Sequence, residues 1–126
     1  MRRILIILFL LGGLITAQAQ VVPGGIIHAL ETGDAKELAG YFHTNIELKL
    51  LKEEYVTSKN QSTRILQDFF EDYPPRSFKI SEDDKKQETN YAYGTLTTRK
   101  GTFRVNMYFL EGKKEKTIYF LSVEKI

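Results

Sequence analysis

The sequence predicts a single α+β domain in which three helices pack on a mostly antiparallel sheet, and three stretches carry that prediction. Ser58 to Pro75 reads as a capped amphipathic helix, and Tyr91 to Leu110 as a β-hairpin. Ile118 to Val123 reads as a final strand that is apolar on both parities. Helical signals fill the middle of the chain and period-two signals its last third, the order expected of an α+β fold rather than alternating β-α units.

The chain opens on Met1-Arg2-Arg3, an unbroken apolar run from Ile4 to Ile15, and Thr16-Ala17-Gln18-Ala19. A basic start, a short apolar core and an A-x-A site are the parts of a secretory signal peptide. The run is shorter than the roughly 20 residues a membrane-spanning helix needs. Residues 1–19 are therefore expected to be a signal, residues 20–126 a single domain, and Gln20 the mature N-terminus. The destination is periplasmic or extracellular, with no membrane attachment after cleavage. No cysteine follows the run, so a lipid-anchored cysteine is excluded, and the domain must hold together without disulfides.

Arg2 and Arg3 are two of the 18 basic residues, so the segment after Ala19 holds 16 basic and 16 acidic side chains. A balanced domain of this kind lacks the electrostatic footprint of a nucleic-acid binder.

After a Pro-Gly lead-in, Ile26, Ile27 and Leu30 mark one side of a short helix stopped by Gly33. Asp34 caps a second helix whose apolar side is Leu38, Tyr41 and Phe42, with His43 at its end. His28 falls on the solvent side of the first helix. Two histidines on separate short helices, with no partner spacing, do not make a metal site. No metal or cofactor is expected. Ile46, Leu48 and Leu50 alternate with Glu47 and Lys49 as a half-buried strand, and Glu54 to Thr57 reads as a second short strand.

The central helix starts at an S-x-x-Q box, Ser58 with Gln61. Ile65, Leu66, Phe69, Phe70 and Tyr73 form its apolar stripe, with Arg64, Gln67, Asp68, Glu71 and Asp72 opposite. Pro74-Pro75 stops it. Phe78 and Ile80 alternate as a strand, and Glu82 to Glu88 is a polar connection whose acidic triplet falls short of the six or more oxygens of a calcium loop.

Lys100-Gly101 is read as the two-residue turn of the hairpin, pairing positions whose numbers sum to about 201. Phe103, Val105, Met107 and Phe109 then share a face with Thr98, Leu96, Gly94 and Ala92, the side toward the helices. Arg104, Asn106, Tyr108 and Leu110 share the other with Thr97, Thr95, Tyr93 and Tyr91. A final strand with two apolar faces is expected at the centre of its sheet or at a dimer interface.

The order helix, helix, short strands, long helix, four strands resembles the cone-shaped α+β roll of nuclear transport factor 2 and ketosteroid isomerase, a nuclear transport factor 2-like, cystatin-like fold. Within that superfamily the chain resembles a small exported family of unknown function typical of Bacteroidetes. The matching residues are Gly33 to Ala39 with Tyr41-Phe42, Asn45 to Leu48, Ser58 to Gln61 with Ile65 to Phe70, Pro74-Pro75, Phe78 to Ile80, Tyr93 to Leu96 and Phe103 to Val105. In that family a His and a Gly commonly follow the strand after the central helix. Glu82-Asp83-Asp84 stands there in this chain, so no role for that histidine carries over.

Three functions follow for consideration. An isomerase-like enzyme would need an acid or base in the cone, and the helix-facing hairpin positions include no group that moves a proton near neutral pH. A small apolar ligand could occupy a cavity between sheet and helices lined by Phe69, Phe70, Leu96, Phe103, Val105, Met107 and Phe109, with Gly94 and Ala92 leaving room opposite the aromatics. A non-enzymatic binding domain would use the outer sheet face, where Tyr91, Tyr93, Arg104, Asn106 and Tyr108 converge, as a homodimer or against another exported protein. The last is the expected function.

Overall fold

A computed structural model describes residues 22–81, 90–112 and 116–126. The signal segment, the acidic triplet and the polar connection lie outside the described residues. Those described form three helices, α1 (Gly24–Thr32), α2 (Ala35–Ala39) and α3 (Lys59–Asp72). The strands are β1 (Phe42–Leu50), β2 (Glu53–Ser58), β3 (Pro75–Ile80), β4 (Tyr91–Thr98), β5 (Gly101–Leu110) and β6 (Thr117–Lys125). They make one curved six-stranded sheet in the order β2-β1-β6-β5-β4-β3. Every neighbouring pair is antiparallel except β1 with β6, which run parallel.

Each helix ends for a local reason. Gly33 takes φ 74 and returns its N–H to the Ala29 carbonyl, a left-handed cap that a β-carbon would strain. Asp34 caps α2 by accepting the Glu37 N–H at 3.0 Å. Ser58 caps α3, its Oγ accepting the Gln61 N–H at 3.2 Å. The Gln61 amide oxygen accepts from the Thr57 hydroxyl at 2.8 Å.

Two expectations require correction. The second helix does not reach Phe42: it ends at Ala39, and Phe42 opens β1 opposite Ile118 of β6. The Ile118 N–H donates to the Tyr41 carbonyl at 2.8 Å, so pairing with the last strand pulls this stretch out of the helix. His43 consequently lies in a strand, exposed, and not at a helix end. The hairpin turn is also one residue earlier than expected. Thr98 pairs with Gly101 and Leu96 with Phe103, a sum of 199. The Thr98 hydroxyl accepts the Lys100 N–H at 3.1 Å and donates to the Gly101 carbonyl at 2.9 Å, closing the turn over Arg99-Lys100. Gly101, at φ 140, follows the turn and does not form its centre. Both sums are odd, so the assignment of residues to faces is unchanged.

The inner face of the sheet meets the helices. Leu66, Phe69 and Phe70 of α3 are buried against it, while Ile65 and Tyr73 are half-buried at its border. The Phe103 ring of β5 lies edge-on to both Phe69 (6.3 Å) and Tyr73 (5.2 Å). β6, the last strand, sits at the sheet's centre, and Ile118, Leu121 and Val123 are its buried side.

Candidate functional site

The structure separates the two sets of residues singled out from the sequence. Phe69, Phe70, Leu96, Phe103, Val105, Met107 and Phe109 all face the helices, each 7% exposed or less. Gly94, expected to leave room among them, is closed off by the Phe78 ring of the neighbouring strand. A β-carbon on Gly94 would meet Phe78 Cζ at 2.7 Å and would crowd the Lys79 carbonyl oxygen. Open space lies instead at the end of the sheet, in a cleft of about 780 Å³ between α3, the β1–β2 turn and the end of β6. Phe69 and Tyr73 reach its floor with Leu50, Leu51 and Ile65, and Lys52, Glu53, Asp68, Asp72 and Lys125 stand around it. Leu51 holds φ 59 in this turn, anchored by its N–H on the Val123 carbonyl at 2.9 Å.

The outer face is built differently. Register places Tyr91 opposite Tyr108, Tyr108 opposite Phe120, Phe120 opposite Glu47 and Glu47 opposite Val56. One row thus crosses five of the six strands, and its three central-to-edge members on β6, β5 and β4 are aromatic. The Tyr91 and Tyr108 rings lie 4.8 Å apart, and Tyr108 meets Phe120 edge-on at 5.5 Å. A bulge in β6, where the register shifts between Tyr108 and Phe109, adds Tyr119 to this side at 6.2 Å from Tyr108. Tyr93 stacks on Tyr91 at 5.8 Å and carries the Arg104 guanidinium over its own ring at 4.5 Å.

Beneath this aromatic surface runs a polar brace. Asn106 is only 8% exposed. Its Oδ1 accepts the Tyr91 hydroxyl at 2.8 Å, and its Nδ2 donates to Ser122 Oγ at 3.0 Å and to Glu124 Oε2 at 2.9 Å. Of the five residues expected on this face, four form the surface and Asn106 holds it from below. Phe120, Tyr119, Glu47 and Val56 were not assigned to this face from the sequence. The signal for Phe120 was the apolar second parity of the last strand, whereas Tyr119 depends on the bulge, and Glu47 and Val56 on pairing across the sheet.

Nothing covers this face among the described residues. Val56 is 84% exposed, Leu110 40%, and Tyr108 and Tyr119 39% each. The Glu47 carboxylate has no hydrogen-bond partner or ion pair among them.

Elsewhere, His28 on α1 pairs its Nδ1 with Glu37 Oε1 of α2 at 2.9 Å. That hydrogen bond, then the carboxylate's charge, raises the His28 pKa above its ordinary 6.5. Among the described residues no group of three or more His, Cys, Asp or Glu could hold a metal ion. No described helix is long and apolar enough to cross a membrane.

A family model described as a domain of unknown function, DUF4783, matches residues 24–124. A DUF4783 family protein from Bacteroides ovatus is 25% identical, with a TM-score of 0.75 over 86% of this chain and 98% of that one. One from Bacteroides uniformis is 24% identical, with a TM-score of 0.73 over 83% and 97%. More distant likenesses show the fold alone. A protein of unknown function with a cystatin-like fold from Nostoc punctiforme matches at 11% identity and TM-score 0.54, over 82% of this chain and 84% of that one. The structure named Rd1NTF2_04 with long sheet matches at 15% and 0.61, over 79% and 94%. No curated protein matches the sequence.

Proposed function

The chain belongs to the DUF4783 family, with a nuclear transport factor 2-like fold, and from that premise we propose that it is an exported, non-enzymatic interaction domain that acts through its outer sheet face as a homodimer. The observation that carries this reading is the aromatic row of Tyr91, Tyr108 and Phe120 on the outer face, flanked by Tyr93, Arg104 and Tyr119. Each of these side chains buries carbon surface while keeping a polar or ring-edge contact, which suits a contact surface. The basic, apolar and A-x-A parts of residues 1–19 support export, and the balanced charge of the remaining chain puts little long-range repulsion in the way of self-association.

The side chains that face the helices support binding over catalysis. They are phenylalanine, leucine, valine, methionine, alanine and threonine, with no titratable group near neutrality among the hairpin's inward positions. Binding of a small apolar ligand is the second reading, favoured by the cleft floored by Leu50, Leu51, Ile65 and Phe69.

Sedimentation of the secreted protein, its N-terminus verified as Gln20 by intact mass, tests the proposal. A dimer is expected at tens of micromolar, weakened by Tyr108→Ala or Arg104→Glu. A monomer at that concentration, with both variants indistinguishable from wild type in every partner contact, overturns it and leaves the cleft as the working site.

A further inference from the structure

β2 forms one edge of the sheet, and its backbone is used by neither the aromatic row nor the cleft. The β1–β2 ladder closes on the two-residue turn Leu51-Lys52, with Leu50 opposite Glu53, and runs without a shift to Asn45 opposite Ser58. In a hairpin closed this way the pair beside the turn exchanges hydrogen bonds, and every second pair after it does the same. Glu53, Tyr55 and Thr57 therefore turn their N–H and C=O groups to β1, while Glu54 and Val56 turn theirs away from the sheet. Among the described residues no strand other than β1 pairs with β2, and no turn or loop bond reaches the backbone of Glu54 or Val56.

The two edges of the sheet are finished differently. β3 opens on Pro75, carries Arg76 and Lys79, breaks register against β4 between Pro75 and Ser77, and has α1 packed against it. Proline, lysine and a bulge are devices that blunt an edge against further pairing. β2 has none of them. Its charges, Glu53 and Glu54, stand at its first two positions, and Val56 near its middle is 84% exposed. A groove of about 780 Å³ runs along this edge, between Glu54 to Thr57 on one side and Asn60, Gln61, Arg64 and Ile65 of α3 on the other. Both ends of the strand are tied: the Leu51 N–H donates to the Val123 carbonyl, and the Thr57 hydroxyl donates to the Gln61 amide oxygen of α3.

We infer that this edge takes an extended segment of a different polypeptide as an added strand. The segment's main chain meets the outward N–H and C=O groups of Glu54 and Val56, which is recognition by strand addition. Its side chains alternate between the two faces of the sheet. On the inner side they meet Tyr55 and Ile65, both half-buried, and on the outer side they cover Val56. The segment that fits therefore carries apolar residues at two successive positions. Glu54 and Arg64 bring one charge of each sign to the groove, so it selects by main chain and shape and not by net charge. A second copy of this chain fits less well, because its own β2 arrives with its own α3 side chains standing beside the strand, and one groove would have to hold both walls. The site is separate from the aromatic row, which lies on β4, β5 and β6.

The probe is a capped hexapeptide, lysine-threonine-valine-valine-threonine-lysine, titrated to millimolar excess into the isotope-labelled secreted protein while amide exchange is followed by NMR. In the free protein exchange is expected to be slow at Tyr55 and Thr57, which bond to β1, and fast at Glu54 and Val56. Peptide at ten times its Kd should slow exchange at Glu54 and Val56 about tenfold. The same peptide N-methylated at both valines keeps its side chains but loses the donor that faces β2, and should bind about tenfold more weakly. Val56→Pro removes an outward N–H that the β1–β2 ladder does not use, so it should weaken the parent peptide to a similar degree while Tyr55 and Thr57 stay protected. A methylated peptide that binds as well as its parent, or a Val56→Pro protein that keeps full affinity, overturns the proposal. So does unchanged exchange at Glu54 and Val56 in millimolar peptide. Protection of those two amides in the free protein that grows with protein concentration assigns the edge to a second copy, and overturns it as well.

Discussion

Replacing Gly94 by alanine sets two effects of opposite sign against each other. On chain entropy alone, Gly→Ala stabilises by about 0.4–1 kcal/mol, because the unfolded chain has less freedom to lose. A buried methyl adds roughly 0.8 kcal/mol more if it finds room. It does not find room here: the added carbon would lie 2.7 Å from Phe78 Cζ and 3.0 Å from Phe78 Cε1, against 3.4 Å for ordinary contact, and would crowd the Lys79 carbonyl. A ring can turn aside, but that carbonyl belongs to β3, which is paired to β4 through Lys79–Thr95 and Ile80–Gly94. Relief therefore requires the edge strand to move, and overpacking of this kind costs about 1–3 kcal/mol. The backbone clash wins, and a net loss of about 1–2 kcal/mol is expected. At a urea m-value of about 1–3 kcal/mol/M, the midpoint falls by roughly 0.5–1 M with m unchanged. Gly94→Ala combined with Phe78→Ala should recover little, because the carbonyl remains. A midpoint equal to or above wild type for Gly94→Ala would refute the reasoning, since it would mean that the space between β3 and β4 is open.

Two further outcomes are expected. Phe69→Ala or Phe70→Ala should each cost about 3–5 kcal/mol, as for buried phenylalanines generally, while Gln67→Ala on the exposed side of α3 should leave the denaturation midpoint within error; a sensitive Gln67 would reverse the helix phase. The His28 imidazole should titrate above 6.5 by NMR and fall toward that value in Glu37→Gln. The sign follows from linkage: with the folded pKa raised, the pair's contribution is complete below 6.5 and is lost as pH rises through the raised value, so a stability increase over that interval would contradict the assignment.

What could be read from residues alone was what depends on period and on local capping. The stripe of α3, the Ser58 and Asp34 caps and the Gly33 stop involve groups within four residues of one another, and all are found. The two faces of the β4–β5 hairpin survive an incorrect turn because face depends only on parity. The turn itself was not legible. Choosing Arg99-Lys100 over Lys100-Gly101 depends on the Thr98 hydroxyl satisfying both a donor and an acceptor in the bend. Phe42 carries a helical spacing with Leu38, and only its pairing with Ile118 near the other end of the chain converts it to strand. The room expected at Gly94 is filled from β3, a neighbour that no local pattern announces. The family resemblance drawn from ordered short matches is borne out by the match over residues 24–124, and the fold by its cystatin-like and nuclear transport factor 2-like neighbours.

The buried Asn106 decides how the outer face should be understood. An asparagine at a central sheet position is costly unless all its hydrogen-bonding groups are met, and a valine there would serve a merely solvated face as well. In this chain it is met three times, and each partner is a residue of the outer face: the Tyr91 hydroxyl on one side, Ser122 and Glu124 on the other. Its effect is to tie Tyr91 down across the sheet, and Tyr91 in turn stacks on Tyr93 and Tyr108. The aromatic surface is thereby ordered before any partner arrives, so association does not have to immobilise these rings, which otherwise costs about 0.5–1.5 kcal/mol for each rotamer-rich side chain. A solvated face has no use for that order, and a contact surface does. Asn106→Val removes one side of each hydrogen bond and leaves the buried Ser122 hydroxyl without its donor, so it should cost about 1–3 kcal/mol while keeping the fold. It should nevertheless weaken the dimer severalfold by releasing Tyr91. An Asn106→Val protein that is folded by circular dichroism and dimerises as tightly as wild type would show that the brace serves the sheet alone.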